Sequence, residues 1–95
     1  MILRRVVKIP AGKLLKLSAD VEGGVLKAVA LRGDFFAHPE EGFDRAEASL
    51  AGIPAADFRN AFAAALAREG VELFGLSADA AADVFEEMLR DLPSA

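Results

Sequence analysis

The hydrophobic pattern changes its period once along the chain, close to residue 34, and this change constrains the fold more than any other feature. Residues 13–22 alternate apolar and polar side chains, which is typical of a strand with one buried face. From residue 39 onward, apolar residues recur at intervals of three and four, which is typical of helices. The sequence therefore predicts an α+β domain in which the strands come first.

Turn signals divide the first third of the chain into strands. Gly23-Gly24 can supply the positive φ angles of a tight hairpin, and Pro10-Ala11-Gly12 is typical of a second turn. The flanking apolar segments predict strands over residues 2–9, 13–22 and 25–33. Short turns between consecutive strands make this a three-stranded antiparallel meander.

Helix signals fill the rest of the chain. Proline is common in the first turn of a helix, glycine commonly follows the last turn, and Ser77 is a good N-cap. These signals predict helices over about residues 39–51, 54–69 and 77–92, with residues 71–76 as a short apolar connector. Because the sheet must cover its apolar face, we expect the helices to pack on one side of it in a single domain, residues 1–95.

Composition excludes several kinds of chemistry. The chain has no Cys, which excludes disulfides, thiol nucleophiles and Cys-ligated metal sites. It has no phosphate-binding glycine loop, no GxGxxG and no HExxH motif, so we do not expect an enzyme that works alone. We expect no metal site either, because the single His, His38, with carboxylates close by, is more typical of capping at a helix start. No segment is typical of a signal peptide or a membrane span, which favours a soluble cytoplasmic protein.

Charge is distributed unevenly along the chain. Residues 1–33 carry seven basic and two acidic residues, a net charge of +5, whereas residues 34–95 carry four basic and thirteen acidic residues, a net charge of −9. The strand pattern predicts a basic sheet face that meets an acidic partner; its members would be Arg4, Arg5, Lys16 and Lys27. The alternative is an ordinary solvated surface. Nucleic acid is a poor candidate, because the chain is acidic overall and no exposed aromatic ladder accompanies the basic strands.

The junction between strands and helices reads RGDFF, residues 32–36. Asp34 can bond nearby backbone N–H groups and fix the corner after Gly33. Phe35 and Phe36 cannot both point to the same side of an extended corner, so one is expected in the core and the other exposed as an anchor for a partner. The alternative is that both rings are buried because the corner is not extended.

Several segments together resemble the accessory C-terminal domain of lipoate–protein ligases, in the archaeal-type arrangement where that domain is a separate small protein. The segments that carry the resemblance, over about residues 5–92, are Gly12-Lys13-Leu14, Gly33-Asp34-Phe35-Phe36, Pro39-Glu40-Glu41, Leu50-Ala51-Gly52 and Gly75-Leu76-Ser77. The resemblance implies a fold like that of sulfur-transfer and iron–sulfur scaffold proteins. The absence of Cys excludes their function here.

The resemblance also implies a function. Such ligases activate lipoate with ATP to lipoyl-adenylate and then transfer the lipoyl group to a Lys of an acceptor protein. It implies that ATP, Mg²⁺ and lipoate bind a separate catalytic subunit, and that this chain is a non-catalytic subunit needed for adenylation. Lys13, beside Gly12, could reach an adenylate phosphate or a partner carboxylate, or could simply be solvated. A generic interaction module and a small standalone enzyme are the alternatives.

Overall fold

The computed structural model describes residues 1–9 and 13–92. Three strands come first, then a short strand, two helices, another short strand and a last helix: β1 (Ile2–Lys8), β2 (Leu14–Glu22), β3 (Val25–Gly33), β4 (Phe36–His38), α1 (Glu40–Ala48), α2 (Phe58–Arg68), β5 (Glu72–Phe74) and α3 (Ala78–Leu89). A single 3-10 turn, Ala55–Asp57, leads into α2. The predicted α+β class, a three-stranded antiparallel sheet followed by three helices, is confirmed.

The meander has a regular register with one bulge. Strand β2 lies between β1 and β3, and Leu17 is opposite both Arg5 and Leu31. The register of β2 and β3 shifts between Asp20 and Val21, so that one residue of β3, Lys27, has no partner on β2. The predicted turn at Pro10-Ala11-Gly12 lies outside the described residues.

The inner face of the sheet and the three helices enclose one core. Within it, aromatic rings form a continuous chain that begins at the corner after β3. Phe35 contacts Phe43 of α1 edge-on, with ring centroids 5.8 Å apart, and Phe43 in turn meets Phe62 of α2 at 6.5 Å. Phe62 stacks on Phe58 at 5.2 Å, and Phe58 stacks on Phe85 of α3 at 4.1 Å. This chain of five rings connects the corner to every helix.

The helix signals in the sequence correctly predicted the start of α3 but not the end of α1. Ser77 caps α3, because its hydroxyl accepts a hydrogen bond from the Ala80 N–H at 3.0 Å. Helix α1 ends at Ala48, earlier than the predicted 51, and the chain then turns so that the Gly52 N–H donates to the Leu26 carbonyl at 2.7 Å. The loop between α1 and α2 is therefore bonded to the outer edge of β3.

The structure corrects the prediction that residues 71–76 are only a connector. Glu72–Phe74 form strand β5, which pairs antiparallel with β4 in a second, two-stranded sheet. Each of these strands has three residues, which is too short for a period of two to stand out in the sequence. Their pairing depends on the packing of α1 and α2, which brings two distant segments together.

Charged side chains connect the helices to each other and to the sheet. Arg59 of α2 bonds three carboxylates of α3, those of Asp79, Asp83 and Glu86. The bond to Glu86, together with that to Asp83, raises the pKa of Arg59, and the same guanidinium lowers the pKa of Glu86. In the part of the chain that the structure describes, no helix has the length and apolar character that a membrane crossing requires.

Among the glycines that the structure describes, Gly33 has the least room for a side chain. Its φ is +143°, and a Cβ there would lie 2.1 Å from the Leu14 carbonyl oxygen. We expect Gly33→Ala to lower the free energy of unfolding by about 3 kcal/mol or more, because the clash adds to the backbone strain. Urea unfolding measures this loss.

The control is Gly23→Ala in the β2–β3 hairpin. Gly23 also has a positive φ, +56°, but a Cβ there would meet nothing within 4 Å. We expect a loss of about 1–2 kcal/mol from the backbone conformation alone. Equal losses for the two variants would show that the approach of Leu14 to Gly33 does not constrain the fold.

Candidate partner-binding site

The end of β3 is held against the start of β2 by backbone and side-chain hydrogen bonds. The Asp34 N–H donates to the Leu14 carbonyl at 2.9 Å, and the Leu14 N–H donates to Asp34 Oδ2 at a longer 3.4 Å. Gly33 allows the close approach, because any side chain would collide with the Leu14 carbonyl. The structure therefore brings the backbone of Lys13 and Leu14 beside that of Gly33 and Asp34, while the Lys13 side chain is exposed.

The two Phe residues of the corner have different surroundings. Phe35 is half-buried and packs on Phe43 at the start of the ring chain. Phe36 is 76% exposed, the most exposed large apolar side chain of the described residues. The corner is therefore extended enough to place one ring on the core and the next in solvent.

Strand β5 adds a second aromatic side chain that sequence reasoning missed. Phe74 is directly opposite Phe36 in the β4–β5 ladder and is 52% exposed. Directly opposite residues lie on the same face of a sheet, so both rings belong to one surface. Exposure alternates from Val71 to Phe74, with Glu72 and Phe74 exposed, but the sequence does not show this pattern because Phe74 is apolar. Gly75 follows β5 and lies close to the backbone of the corner, because a Cβ at this position would be 3.2 Å from the Asp34 carbonyl oxygen.

Open grooves lie on both sides of Phe36. One groove, of about 270 Å³, lies between the corner and α1, and Leu31 and Phe43 form its apolar floor. The other runs along β4 toward the start of α1, past Pro39 and Phe74. The Phe36 ring is thus a ridge between two shallow depressions. Such a shape suits contact with a protein surface better than enclosure of a small ligand.

Carboxylates surround this aromatic surface, which we call the aromatic corner (Phe36, Phe74 and the grooves beside Phe36). Four exposed acidic residues lie along the grooves or on the same face, and within residues 1–9 and 13–92 none of them makes an ion pair: Glu40, Glu41, Asp44 and Glu72. One guanidinium, that of Arg32, lines the groove beside α1 and bonds Glu47 at 2.9 Å. This hydrogen bond raises the pKa of Arg32. The corner therefore presents aromatic rings with net negative charge around them.

His38 does not have the capping role that the sequence suggested. It lies in β4 opposite Glu72 and is exposed, and helix α1 has Pro39 at its N-cap with no side-chain cap bond. Among the described residues, no group of three or more His, Asp or Glu side chains is placed to hold a metal ion.

The predicted basic face needs one correction. Arg4 and Lys16 lie on the outer face of the sheet, in register with Ser18 and Val6, whereas Arg5 lies in the inner row with Leu17 and Leu31. Adjacent residues of a strand point to opposite faces, so Arg4 and Arg5 cannot share one. Arg5 instead bonds Asp91 beyond the end of α3.

Further exposed side chains lie on or beside this face: Lys8 of β1, Arg32 opposite Lys16, Lys27, and a pair of apolar residues of β1. Lys27 is exposed at the bulge of β3. Ile2 and Val6 of β1 are each 62% exposed beside Arg4. We call Arg4, Lys16 and Lys27, with Ile2 and Val6, the outer sheet face.

One solved structure has a similar fold. It is part of an archaeal lipoylation system from Thermoplasma acidophilum, described as a bi-partite lipoate protein ligase and its E2 lipoyl domain. The two chains are 22% identical, the TM-score is 0.77, and the match covers 90% of this chain and 94% of that one. They share a fold. The two coverages also mean that the matched chain is nearly equal in length to this one. No protein-family model and no curated protein sequence matches the chain.

The different surroundings of Phe35 and Phe36 lead to a stability prediction. We expect Phe35→Ala to lower the free energy of unfolding by about 2 kcal/mol, less than the roughly 3–5 kcal/mol typical of a fully buried Phe. We expect Phe36→Ala to stay within about 0.5 kcal/mol of the unsubstituted chain, as for other surface substitutions. Urea unfolding of both variants provides the comparison, and equal losses would mean that both rings serve only the core.

Proposed function

We propose that this chain is the non-catalytic accessory subunit of a two-part lipoate–protein ligase. The observation that carries the proposal is the match of almost its whole length to a chain of nearly equal length from a bi-partite lipoate protein ligase system. The resemblance of Gly33-Asp34-Phe35-Phe36 and its neighbouring segments to the accessory domain of these ligases supports the same family.

The proposed reaction belongs to the complex of the two subunits. Lipoate reacts with ATP to give lipoyl-adenylate and pyrophosphate, and the lipoyl group then passes to a Lys amine of an acceptor domain with release of AMP. ATP, Mg²⁺ and lipoate bind the catalytic subunit in this proposal. The glycine pair that could approach a phosphate here, Gly23-Gly24, forms the β2–β3 hairpin turn, and the Gly24 carbonyl accepts a hydrogen bond from the Ala55 N–H at 2.8 Å. This glycine pair therefore has a structural role in the hairpin, and we do not propose that it binds a nucleotide.

The role of this chain is to bind and position the catalytic subunit. Phe36 is exposed, and the residue before it, Phe35, packs on Phe43 in the core. An exposed aromatic side chain next to a packed residue is a suitable anchor for a protein partner. The outer sheet face is the second contact surface, toward an acidic region of the catalytic subunit or of the acceptor domain. Lys13, at the same end of the sheet as the aromatic corner, is a further candidate contact. We propose the cytoplasm as its location.

A generic interaction module of another complex is the second candidate. The exposed Phe36–Phe74 pair favours it, because such a surface indicates a protein partner without indicating any particular chemistry. A dependence of lipoate adenylation on this chain distinguishes the two candidates.

The test of the proposed function is lipoyl-adenylate formation. A separately encoded lipoate ligase chain from the same genome, one without an accessory domain, is assayed for lipoate-dependent pyrophosphate release with and without this chain. We expect adenylation to require this chain, and Phe36→Ala to reduce the activity by about tenfold or more at limiting concentration. Met88→Ala, which removes a buried side chain of α3 that lines neither groove, controls for loss of stability when it is assayed below its own unfolding temperature.

The same experiment has outcomes that contradict the proposal. Full adenylation by the catalytic chain alone would remove the accessory role. Micromolar ATP binding by this chain alone, measured by calorimetry, would show a nucleotide site that the accessory role does not include.

Charge reversal tests the outer sheet face. We expect Arg4→Glu with Lys16→Glu to weaken association with the catalytic chain, and the loss to shrink as salt rises, because exposed charges are screened. Arg68→Glu with Arg90→Glu makes the same change in net charge away from the sheet and is the control; because Arg68 bonds Ser49 at 3.0 Å, urea unfolding checks that this variant is folded. Arg5 is left unchanged because its bond to Asp91 belongs to the fold. Equal affinities of the two double variants at low salt would exclude this face from the interface.

A further inference from the structure

We propose that the aromatic corner binds a segment of the catalytic subunit in which an apolar side chain is flanked by Lys or Arg. The identity of the partner rests on the proposed function, whereas the chemistry of the segment follows from the surface itself.

The apolar part of the segment is indicated by the shape of the corner. Phe36 and Phe74 present two rings side by side, and the groove between Phe36 and α1 has Leu31 and Phe43 as its floor. An aliphatic or aromatic side chain placed in this groove would cover Phe36 on one side and reach buried apolar atoms below. Exposed rings over an apolar floor are the arrangement that protein interfaces use for their central contacts.

The charge of the segment is indicated by the carboxylates around the rings. Asp44 lies along the groove, Glu40 borders both grooves, and Glu41 borders the one at the start of α1. Glu72 and His38 occupy the face that Phe36 and Phe74 share. Two guanidinium groups lie nearby, and each bonds a carboxylate of the fold: Arg32, which also lines the groove, bonds Glu47, and Arg45 bonds Glu69. The four carboxylates of the corner make no such bond among the described residues, so the corner keeps a net negative charge that a basic partner can neutralise.

Lys and Arg suit this surface for a second reason. Their aliphatic stems can pack on apolar side chains while the charged group stays at the rim, close to the carboxylates. A cation placed over the face of an exposed ring also gains a cation–π contribution. A segment with acidic flanks would instead place like charges together at every one of these positions.

A second copy of this chain is the competing occupant, since its outer sheet face is basic and carries Ile2 and Val6. Contact between the corner of one copy and the sheet face of another would join different surfaces, and such head-to-tail contacts form rings or open filaments. A separate catalytic subunit forms a closed complex with one copy. We therefore assign the corner to the catalytic subunit.

The test measures affinity for the catalytic chain by calorimetry, with variants that separate rings from charges. We expect Phe36→Ala and Phe74→Ala each to raise Kd by about tenfold or more. We expect Asp44→Asn with Glu72→Gln to raise Kd severalfold at low salt and to have little effect at high salt, where the charges are screened. Asp57→Asn with Glu87→Gln, which removes two exposed carboxylates that line neither groove, is the control and should leave Kd unchanged; because Glu87 lies 3.8 Å from Arg5, urea unfolding checks that this variant is folded.

The possible results separate two hypotheses: that the aromatic corner binds the catalytic chain, and that this chain is needed for adenylation. The inference is overturned if Kd is unchanged by both Phe substitutions, or if the control pair raises Kd as much as the Asp44 and Glu72 pair does. Neither result contradicts the proposed role in adenylation. Corner-dependent binding without any effect on adenylation supports the inference and overturns the accessory role. If the unsubstituted chain does not bind the catalytic chain at all, both are overturned. If the isolated chain forms dimers or filaments, and Phe36→Ala abolishes them, the corner is assigned to a second copy instead.

Discussion

The chain of five Phe rings is the contact on which the rest of the structure depends. It runs from Phe35 through Phe43, Phe62 and Phe58 to Phe85, and so joins the end of the sheet to all three helices. Each ring buries a large apolar area and prefers particular geometries to its neighbours, which fixes the helices relative to one another. The chain contains seven Phe residues, and the two outside this series are the exposed pair of the aromatic corner.

The position of the aromatic corner follows from this core. Phe35 begins the ring chain, so the next residue, Phe36, must point away from it, and the close approach of Gly33 to Leu14 fixes where the strand ends. Strand β5 is brought to the corner by α1 and α2, and it adds Phe74 on the same face. The two exposed rings are therefore placed by contacts of the core and by strand pairing, before any partner binds.

Charge gives the molecule two different surfaces. Three arginines make ion pairs within the fold. Arg5 of β1 bonds Asp91 after α3, and Arg45 of α1 bonds Glu69 after α2. Arg59 of α2 bonds three carboxylates of α3. The outer sheet face keeps basic side chains, and the aromatic corner keeps acidic ones. In the proposed ligase, each surface would therefore select a partner region of opposite charge, and salt would affect both contacts.

The sequence by itself determined the class of fold and the meander, because alternation, paired glycines and helical spacing are local signals that do not depend on distant residues. It also determined that Phe35 and Phe36 must differ if the corner is extended. Only the tertiary structure decided that Phe36 is the exposed ring and that Arg5 turns inward to Asp91. It alone paired β4 with β5 to place Phe74 beside Phe36, since contacts between segments more than thirty residues apart are set by how the helices pack and leave no local trace.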